Sequence, residues 1–281
     1  MSEIPFRTMA VLGLGVIGGS LARAVRAAAP DVKVVGWSPA LGERDQALSE
    51  RAVVAAPSAW EDAVEEADLV VLAVPLDACR RILPDLDGLA PPGATIMDVA
   101  SLKTPMSRAA SEAGLSHRWV GAHPMAGSEG SGFARSSADL FHGARVWLVA
   151  APEAEERVPG VHALWRSVGG DPRTIEAEEH DRIMGLVSHL PQLVASALAV
   201  GMSRRDVDLD TLGPGGRDMT RLAASNPDMW LDLFRDVPAE VPDALRTLAE
   251  TMTEAASALE RGDLAVLERL MREGGSWRKG A

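Results

Sequence analysis

Apolar runs with the length of buried β-strands recur along the first 150 residues, and helix-compatible segments separate them. The runs are MAVL at 9–12, KVVGW at 33–37, DLVVLAV at 68–74, GATIMDV at 93–99, VGAH at 120–123 and ARVWLV at 144–149. Strands that alternate with helices at this spacing are typical of a doubly wound, mostly parallel sheet. The first part of the chain is therefore predicted to be a Rossmann-like α/β domain.

The pattern becomes helical after Ile175. Residues 180–202 form a long apolar stretch that contains Pro191, which is expected to kink the helix, and residues 241–272 are amphipathic. We predict two domains, a dinucleotide-binding domain at 1–175 and an all-α domain at 176–281. The second is expected to close over the first and to pair with a second copy as a homodimer.

A glycine-rich turn follows the first strand directly. It reads Gly13-Leu14-Gly15-Val16-Ile17-Gly18, and a helical run follows it. In this setting Gly13 permits the turn, Gly15 lets the backbone approach a pyrophosphate, and Gly18 lets the helix pack closely. The pattern predicts a dinucleotide site with Val16 and Ile17 at the helix N-terminus, although the same glycines would also suit a turn that only packs.

The second strand ends at Ser38, where NAD-binding folds usually place an acidic residue for the ribose 2′-hydroxyl. With Ser38 there, no carboxylate at that position repels a 2′-phosphate. The cofactor is therefore predicted to be NADP or NAD, and Ser38 favours NADP.

Polar or turn-forming residues follow several other strands at the same edge of the predicted sheet. They are Pro75 after Val74, then Ser101 and Lys103, and then His123, which opens the loop HPMAGSEGSGF at 123–133. Ligands of α/β folds lie at this edge, so these residues are candidate site residues. Ser101 and Lys103 would equally suit the cap of a helix, and a lone histidine is often structural.

Composition narrows the class of partner. The formal net charge of −12 disfavours nucleic acid and anionic membranes, so an anionic substrate needs a local arginine cluster. The single cysteine, Cys79, excludes internal disulfides and Cys-based zinc sites and suits the cytoplasm, and no metal site is predicted. We expect no segment to approach the roughly 20 apolar residues that are needed to span a bilayer.

Arg217 and Arg221 stand four residues apart after a GPGG turn, so they share one helical face. Two guanidinium groups there suit the bidentate binding of carboxylates, although a surface ion pair with Asp218 would explain them as well. His189, beside Pro191, is either a buried functional side chain or a cap for backbone groups that the proline frees.

The chain resembles the prephenate/arogenate dehydrogenase family over nearly its whole length. The motifs that carry the resemblance are GLGVIGGSLA, DVASLKT, HPMAGSEGSG, SHLPQ and GGRDMTRLAASNPDMW, in that order. The resemblance implies a nucleotide domain, a helical dimerisation domain and NAD(P)-dependent oxidative decarboxylation of prephenate to 4-hydroxyphenylpyruvate. It implies that His123 accepts the proton of the ring hydroxyl, with Ser101 beside it.

The resemblance also assigns roles to other residues. Arg221 matches the substrate-binding arginine and Trp230 the tryptophan of the same motif, and His180 and His189 match histidines of the family pattern. Glu129, Arg217 and Asp218 match an ionic cluster near the mouth of the site. The expected cofactor residues are Gly13, Gly15, Val16, Ile17, Gly18, Ser38, Val74, Pro75 and Ser101.

Gln192 departs from the family pattern, in which many members carry histidine at the end of SHLPH. Glutamine hydrogen-bonds but does not titrate, so arogenate or 4-amino-4-deoxyprephenate stay open as substrates. A β-hydroxyacid dehydrogenase is disfavoured, because that class relies on a lysine in its helical half and the only lysine after Lys103 is Lys279. A non-catalytic NAD(P)-sensing protein is the alternative from another class.

Overall fold

A seven-stranded sheet organises the first part of the computed structural model, which describes residues 4–127 and 130–280. The strand order is β2-β1-β3-β4-β5-β6-β7. All neighbours are parallel except β5 and β6, which run antiparallel. The strands are β1 (Thr8–Leu12), β2 (Lys33–Trp37), β3 (Leu69–Leu72), β4 (Thr95–Asp98), β5 (Trp119–Pro124), β6 (Arg145–Ala150) and β7 (Asp171–Thr174). The predicted doubly wound, mostly parallel sheet is confirmed.

Helices connect the strands and then continue alone. They are α1 (Val16–Ala28), α2 (Leu41–Ser49), α3 (Trp60–Val64), α4 (Leu76–Ile82), α5 (Leu86–Leu89), α6 (Thr104–Glu112), α7 (Val158–Ser167), α8 (Ala177–Met184), α9 (Leu190–Ser203), α10 (Pro214–Thr220), α11 (Pro227–Phe234), α12 (Glu240–Arg261) and α13 (Leu264–Arg278). No strand follows β7 in the described part of the chain. The predicted all-helical second half is therefore confirmed.

The strands alternate their side chains between two buried layers. Met9 and Val11 of β1 point to one layer, whereas Ala10 and Leu12 point to the other. Because helices cover both faces, the inner strands are mostly apolar, which explains the continuous runs in the sequence.

The topology places a crevice at the carboxyl ends of the strands. β1 lies between β2 and β3, so the chain leaves β1 toward one side of the sheet and later returns on the other. Such a switch point is where open α/β sheets bind ligands. The glycine turn after β1 and the segment after β3 lie on either side of it.

The described chain divides into two compact units that differ from the domains predicted from the sequence. The first contains residues 1–184 and 224–236, and the second contains residues 185–223 and 237–281. The change from strands to helices at 175 therefore does not coincide with the change of unit, because α8 packs against β6 and α11 packs against α4.

One helical segment is more apolar than the sequence analysis predicts. Residues 177–203, which comprise α8, a π-helical turn at Gly185–His189 and α9, are long and apolar enough to span a bilayer by length and composition alone. The expectation that no segment reaches that length is therefore wrong. Only 28% of its most apolar window is buried, so much of this apolar surface is exposed in the single chain.

The π-helical turn has a local cause. Pro191 has no N–H group, and its ring would crowd the carbonyl four residues earlier, which is that of Val187. A wider turn at Gly185–His189 relieves this conflict without ending the helix.

Candidate active site

Two glycines of the turn after β1 are required by close packing. Gly13 has φ +106°, and a Cβ on it would lie 2.3 Å from the Ala73 carbonyl oxygen. A Cβ on Gly18 would lie 1.9 Å from the Gly13 carbonyl oxygen. A side chain at either position would displace backbone, so the turn depends on glycine.

Gly15 differs, because a Cβ there would meet nothing within 4 Å. It is the N-cap of α1, whose first turn has no side-chain cap and no acidic residue. The unpaired N–H groups of this 13-residue helix therefore open toward empty space, as a pyrophosphate-binding turn requires.

That space is a cavity of about 850 Å³ in the first unit. Six of the predicted cofactor residues line it: Gly15, Val16, Ile17, Val74, Pro75 and Ser101. Gly13 and Gly18 shape the turn behind this lining. The volume suits a large organic ligand, and the exposed glycine turn fits a dinucleotide.

Ser38 is buried at the end of β2 and does not line that cavity. Its hydroxyl donates a hydrogen bond to Oε2 of Glu43 and accepts one from the Ala40 N–H at 3.2 Å. A carboxylate is thus present at the end of β2, although sequence position alone did not reveal it. The premise behind the expected NADP preference, that no carboxylate lies there, is therefore wrong.

His123 lies one residue before the end of β5 and contacts a second histidine. Its Nδ1 lies 2.9 Å from Nε2 of His180, and Nδ1 of His180 lies 2.7 Å from Oδ1 of Asp181. His180 and Asp181 are both buried, and both lie on α8. The three side chains form a continuous hydrogen-bonded series from a carboxylate to the end of β5.

Asp181 is ionised in this arrangement. Burial by itself would raise its pKa, but hydrogen bonds from His180 and from the N–H groups of Lys103 and Thr104 outweigh burial and lower the pKa below its ordinary value. An ionised Asp181 accepts a hydrogen bond from the Nδ1–H of His180, so His180 Nε2 is an acceptor. His123 then donates from Nδ1, which places the lone pair of His123 on Nε2.

Asp181 also caps α6. Its two carboxylate oxygens accept hydrogen bonds from the N–H groups of Lys103 and Thr104, each at 2.8 Å. Lys103 is at the N-cap position, but its own side chain does not cap the helix. The alternative that Ser101 and Lys103 are capping residues is therefore wrong, because α8 supplies the cap.

Lys103 has a different, buried role. Its Nζ forms an ion pair with Asp98 and donates to the Ala122 carbonyl oxygen at 3.2 Å, next to His123. Asp98 also accepts from Trp119 Nε1 at 2.8 Å. This ion pair joins the end of β4 to the end of β5 and fixes the backbone that carries His123.

The second unit holds four of the predicted substrate residues. His189 and Gln192 are buried, whereas Arg217 and Arg221 are exposed. Gln192 Nε2 donates to the Leu222 carbonyl oxygen at 2.9 Å, which attaches α9 to the short helical turn at Arg221–Ala224. Arg217 donates from Nε to the Leu212 carbonyl oxygen at 3.0 Å. Among the described residues neither arginine forms an ion pair, so the surface pair with Asp218 is not observed.

The remaining predicted residues are Trp230 and Glu129. Trp230 lies on α11 in the first unit, stacked on Phe234 with ring centroids 5.6 Å apart. Other residues of α11, among them Met229 and Leu233, line the cavity beside Gly15. Glu129 falls outside the described residues. In the described part of the chain, no group of three His, Cys, Asp or Glu side chains is arranged to hold a metal ion.

Sequence reasoning missed the pairing of His180 with His123, the role of Asp181, and Glu43. Each involves a contact between separated segments: His123 and His180 are 57 residues apart, and Lys103 and Asp181 are 78 apart. The adjacent His180-Asp181 pair at the start of an apolar helix was the one available signal for the first two.

Two family models match consecutive parts of the chain. Residues 21–172 match the nucleotide-binding domain of prephenate dehydrogenase, and residues 176–273 match the dimerization domain of prephenate dehydrogenase. The chain belongs to the prephenate dehydrogenase family. It is an NAD(P)-dependent oxidoreductase, which agrees with the glycine turn and cavity of the first unit.

Individual relatives cover most of the chain. The cyclohexadienyl dehydrogenase of Zymomonas mobilis is 33% identical over 84% of this chain and 83% of that protein. The prephenate dehydrogenase of Lactococcus lactis is 27% identical over 94% of this chain and 74% of that protein. The crystal structure of prephenate dehydrogenase from A. aeolicus with hydroxyphenyl propionate and NAD+ has 28% identity and a TM-score of 0.87, and covers 98% of both chains.

Proposed function

We propose that the enzyme catalyses the oxidative decarboxylation of prephenate to 4-hydroxyphenylpyruvate, with His123 as the base. The observation that carries this proposal is the hydrogen-bonded series Asp181–His180–His123. Its last member, His123, lies at the carboxyl-end edge of the sheet, where the glycine turn also lies. The series keeps a lone pair on Nε2 of His123. A base in this state is what removal of a hydroxyl proton requires.

The chemistry explains why a histidine suffices. Prephenate carries a ring hydroxyl on the carbon that is oxidised, and the nicotinamide cofactor, when bound, supplies the acceptor for the hydride. Nε2 of His123 takes the hydroxyl proton as the carbonyl develops. Loss of CO2 then makes the ring aromatic, so the protein has mainly to bind and orient the substrate.

Other residues are assigned to binding and orientation. Ser101, which lines the same cavity as the glycine turn, is proposed to orient the substrate hydroxyl beside His123. Arg221 is proposed to bind a substrate carboxylate, which its exposed guanidinium supports. His189, Gln192, Arg217, Glu129 and Trp230 are proposed as the further substrate-binding residues.

The cofactor is proposed to bind with its pyrophosphate at the N-terminus of α1, between Gly15 and Ile17. The open surface over Gly15 and the uncapped first turn of α1 support this placement. Val74, Pro75 and Ser101 form the side of the cavity that follows β3 and β4. The presence of Glu43 at the end of β2 removes the support that Ser38 alone gave to NADP.

The enzyme is further proposed to be a homodimer that acts in the cytoplasm. The second unit leaves many large apolar side chains exposed, such as Met252, Leu259, Leu264 and Met271, on α12 and α13. Apolar surface of this extent in one part of a chain marks an interface. The apolar helical segment at 177–203 is proposed to be part of the folded enzyme and not a membrane span, because it carries the buried polar residues Asp181, His189 and Gln192.

Substitution of His123 tests the mechanism. In His123→Asn, turnover with prephenate should fall by roughly 10²–10⁴, because a general base contributes about that factor. Cofactor affinity should stay unchanged, since the glycine turn is untouched. The absorbance of the reduced nicotinamide measures turnover with prephenate, arogenate and 4-amino-4-deoxyprephenate in parallel.

His117→Asn is the matched control, because His117 lies in the same unit in the turn before β5 and has no described bond to the series. Full activity of His123→Asn would remove this residue from the mechanism. Turnover with none of the three substrates, with cofactor still bound, would favour a non-catalytic NAD(P)-sensing protein. If arogenate or 4-amino-4-deoxyprephenate is turned over faster than prephenate, that compound is the substrate and prephenate is not.

A further inference from the structure

The carboxylate of Glu43 lies at the place that distinguishes NAD from NADP in dinucleotide-binding folds. The Gly13 N–H donates to the Trp37 carbonyl oxygen at 2.7 Å, so the end of β2 adjoins the glycine turn. Ser38 follows Trp37, and its hydroxyl holds Glu43 Oε2. The acid is therefore supplied from the first turn of α2, five residues after the usual position.

Ser38 itself has little capacity left for a ligand. Its side chain is 1% exposed, its hydroxyl proton is donated to Glu43, and its oxygen accepts the Ala40 N–H. A serine in this state does not offer a donor to a 2′-phosphate. What Ser38 provides is an anchor that fixes one carboxylate oxygen of Glu43.

The second oxygen of Glu43 faces Gly132, a residue that lines the cofactor cavity. Oε1 lies 3.3 Å from the position that a Cβ on Gly132 would occupy. Gly132 lines the same cavity as Gly15 and Ser101. Because Gly132 has φ +83° and lacks a side chain, it leaves the Glu43 carboxylate uncovered on this side.

The arginine next to Glu43 is engaged elsewhere. Arg44 donates from Nη1 to the Pro57 carbonyl oxygen at 2.9 Å, and Trp37 Nε1 donates to the neighbouring Ser58 carbonyl oxygen at 3.1 Å. These two bonds hold the 57–58 segment against the end of β2. A 2′-phosphate that reached Arg44 would lie beside the negative charge of the neighbouring Glu43.

We infer that Glu43 selects NAD over NADP. Its carboxylate accepts a hydrogen bond from the 2′-hydroxyl of the adenosine ribose, and it repels the phosphate that NADP carries at that position. This inference rests on the cofactor site of the proposed function and is independent of the substrate.

Binding of the oxidised cofactors, measured by calorimetry on the full chain without substrate, tests the inference. The wild type should bind NAD+ at least about tenfold more tightly than NADP+, since like charges in contact are strongly unfavourable. In Glu43→Gln the repulsion is lost while an acceptor remains. NADP+ affinity should then rise about tenfold, and NAD+ affinity should change by less than about threefold.

Two further variants complete the design. Ser38→Ala removes the anchor of the carboxylate and should lower the preference for NAD+ in the same direction, by a smaller factor. Asp45→Asn removes the same charge from an exposed position on α2 and should leave both affinities unchanged. Circular dichroism melts of each variant show that the fold is retained.

Tighter binding of NADP+ by the wild type would overturn the inference. An unchanged ratio of the two affinities in Glu43→Gln would overturn it equally. Loss of NADP+ binding in Arg44→Ala would show that the arginine reads a 2′-phosphate instead. If the NAD+ preference is found while prephenate is not oxidised, the proposed substrate fails and this inference stands.

Discussion

At the scale of single residues, the state of His123 is set by buried groups on other elements. His180 and Asp181 fix its tautomer, and Lys103 fixes the backbone on which it stands. Asp181 has two tasks, since it also accepts the N–H groups that begin α6. A single carboxylate therefore couples the base to the loop that carries Ser101.

Asp181→Asn tests this positioning role. The value of kcat, followed by the absorbance of the reduced nicotinamide, should fall by up to the roughly 10²–10⁴-fold that a general base contributes, because the base loses its fixed tautomer. An unchanged kcat would contradict this role of Asp181.

The same variant has a stability consequence with a defined sign. The pKa of Asp181 is lowered in the folded chain, so its contribution to the free energy of unfolding is complete above the ordinary carboxyl pKa, about 3.9, and is lost as the pH falls below it. At pH 7 Asp181→Asn should be less stable by about 1–3 kcal/mol in chemical denaturation. Asp85→Asn, at an exposed position, is the control. The difference between Asp181→Asn and the wild type should shrink below pH 4, and an unchanged difference would contradict an ionised Asp181.

Sequence alone predicted the residues whose types follow from local rules. Gly13, Gly15 and Gly18 stand in a strand–turn–helix context, and His123 interrupts an apolar strand at a proline. Glu43 and Asp181 escaped prediction because each acts on a residue whose proximity only the fold determines. The carboxylate of Glu43 takes the place of an acidic residue that is usually found five positions earlier, where this chain has Ser38. A sequence fingerprint with fixed spacing does not detect this shift.

At the scale of elements, the buried strands were predicted and one edge strand was not. β7 has the sequence Asp171-Pro172-Arg173-Thr174, which is polar, contains proline and lies at the edge of the sheet. Proline is tolerated there because an edge strand has one unpaired side. Its apolar signal is absent because little of it is buried, so pattern reading had nothing to detect.

A second element-scale feature joins α9 to the turn that carries Arg221. Gln192 donates to the carbonyl of Leu222, directly after Arg221, from the helix that starts beyond the π-helical turn. At this position the chain has an amide, which does not titrate. The orientation of Arg221 is therefore expected to be independent of pH between 5 and 8 as far as this contact is concerned.

Gln192→Leu removes that contact with little change in volume. We expect KM for prephenate to rise about 5–20-fold, because loss of a hydrogen bond to a partly buried acceptor costs about 1–2 kcal/mol and loosens the Arg221 turn. The affinity for NAD+ should be unchanged. Gln46→Leu, on the exposed face of α2, is the matched control. A rise in the dissociation constant of NAD+ instead of KM would place Gln192 at the cofactor.

At the scale of the whole molecule, the two compact units differ in what they leave exposed. The sheet of the first unit is covered on both faces, whereas the helices of the second unit present large apolar side chains to solvent. The sequence showed the amphipathic pattern of 241–272 but not which apolar stripe is covered. That depends on how α12 and α13 pack on each other, and α13 has no buried residue in the single chain.

The exposed stripe of α13 allows the proposed homodimer to be tested. Leu264 and Met271 are seven residues apart, hence on one face, and are 70% and 76% exposed. If this face meets a second copy, Leu264→Asp with Met271→Asp places two carboxylates in an apolar interface, and the dissociation constant of the dimer should rise at least about 100-fold. Sedimentation velocity over a range of protein concentrations measures the shift.

Leu41→Asp, at a residue 61% exposed on the first unit, should leave the dimer intact. A double variant that still sediments as the wild-type dimer would move the interface to another face, for which the exposed Val187 and Val200 of the apolar helical segment are the next positions to substitute.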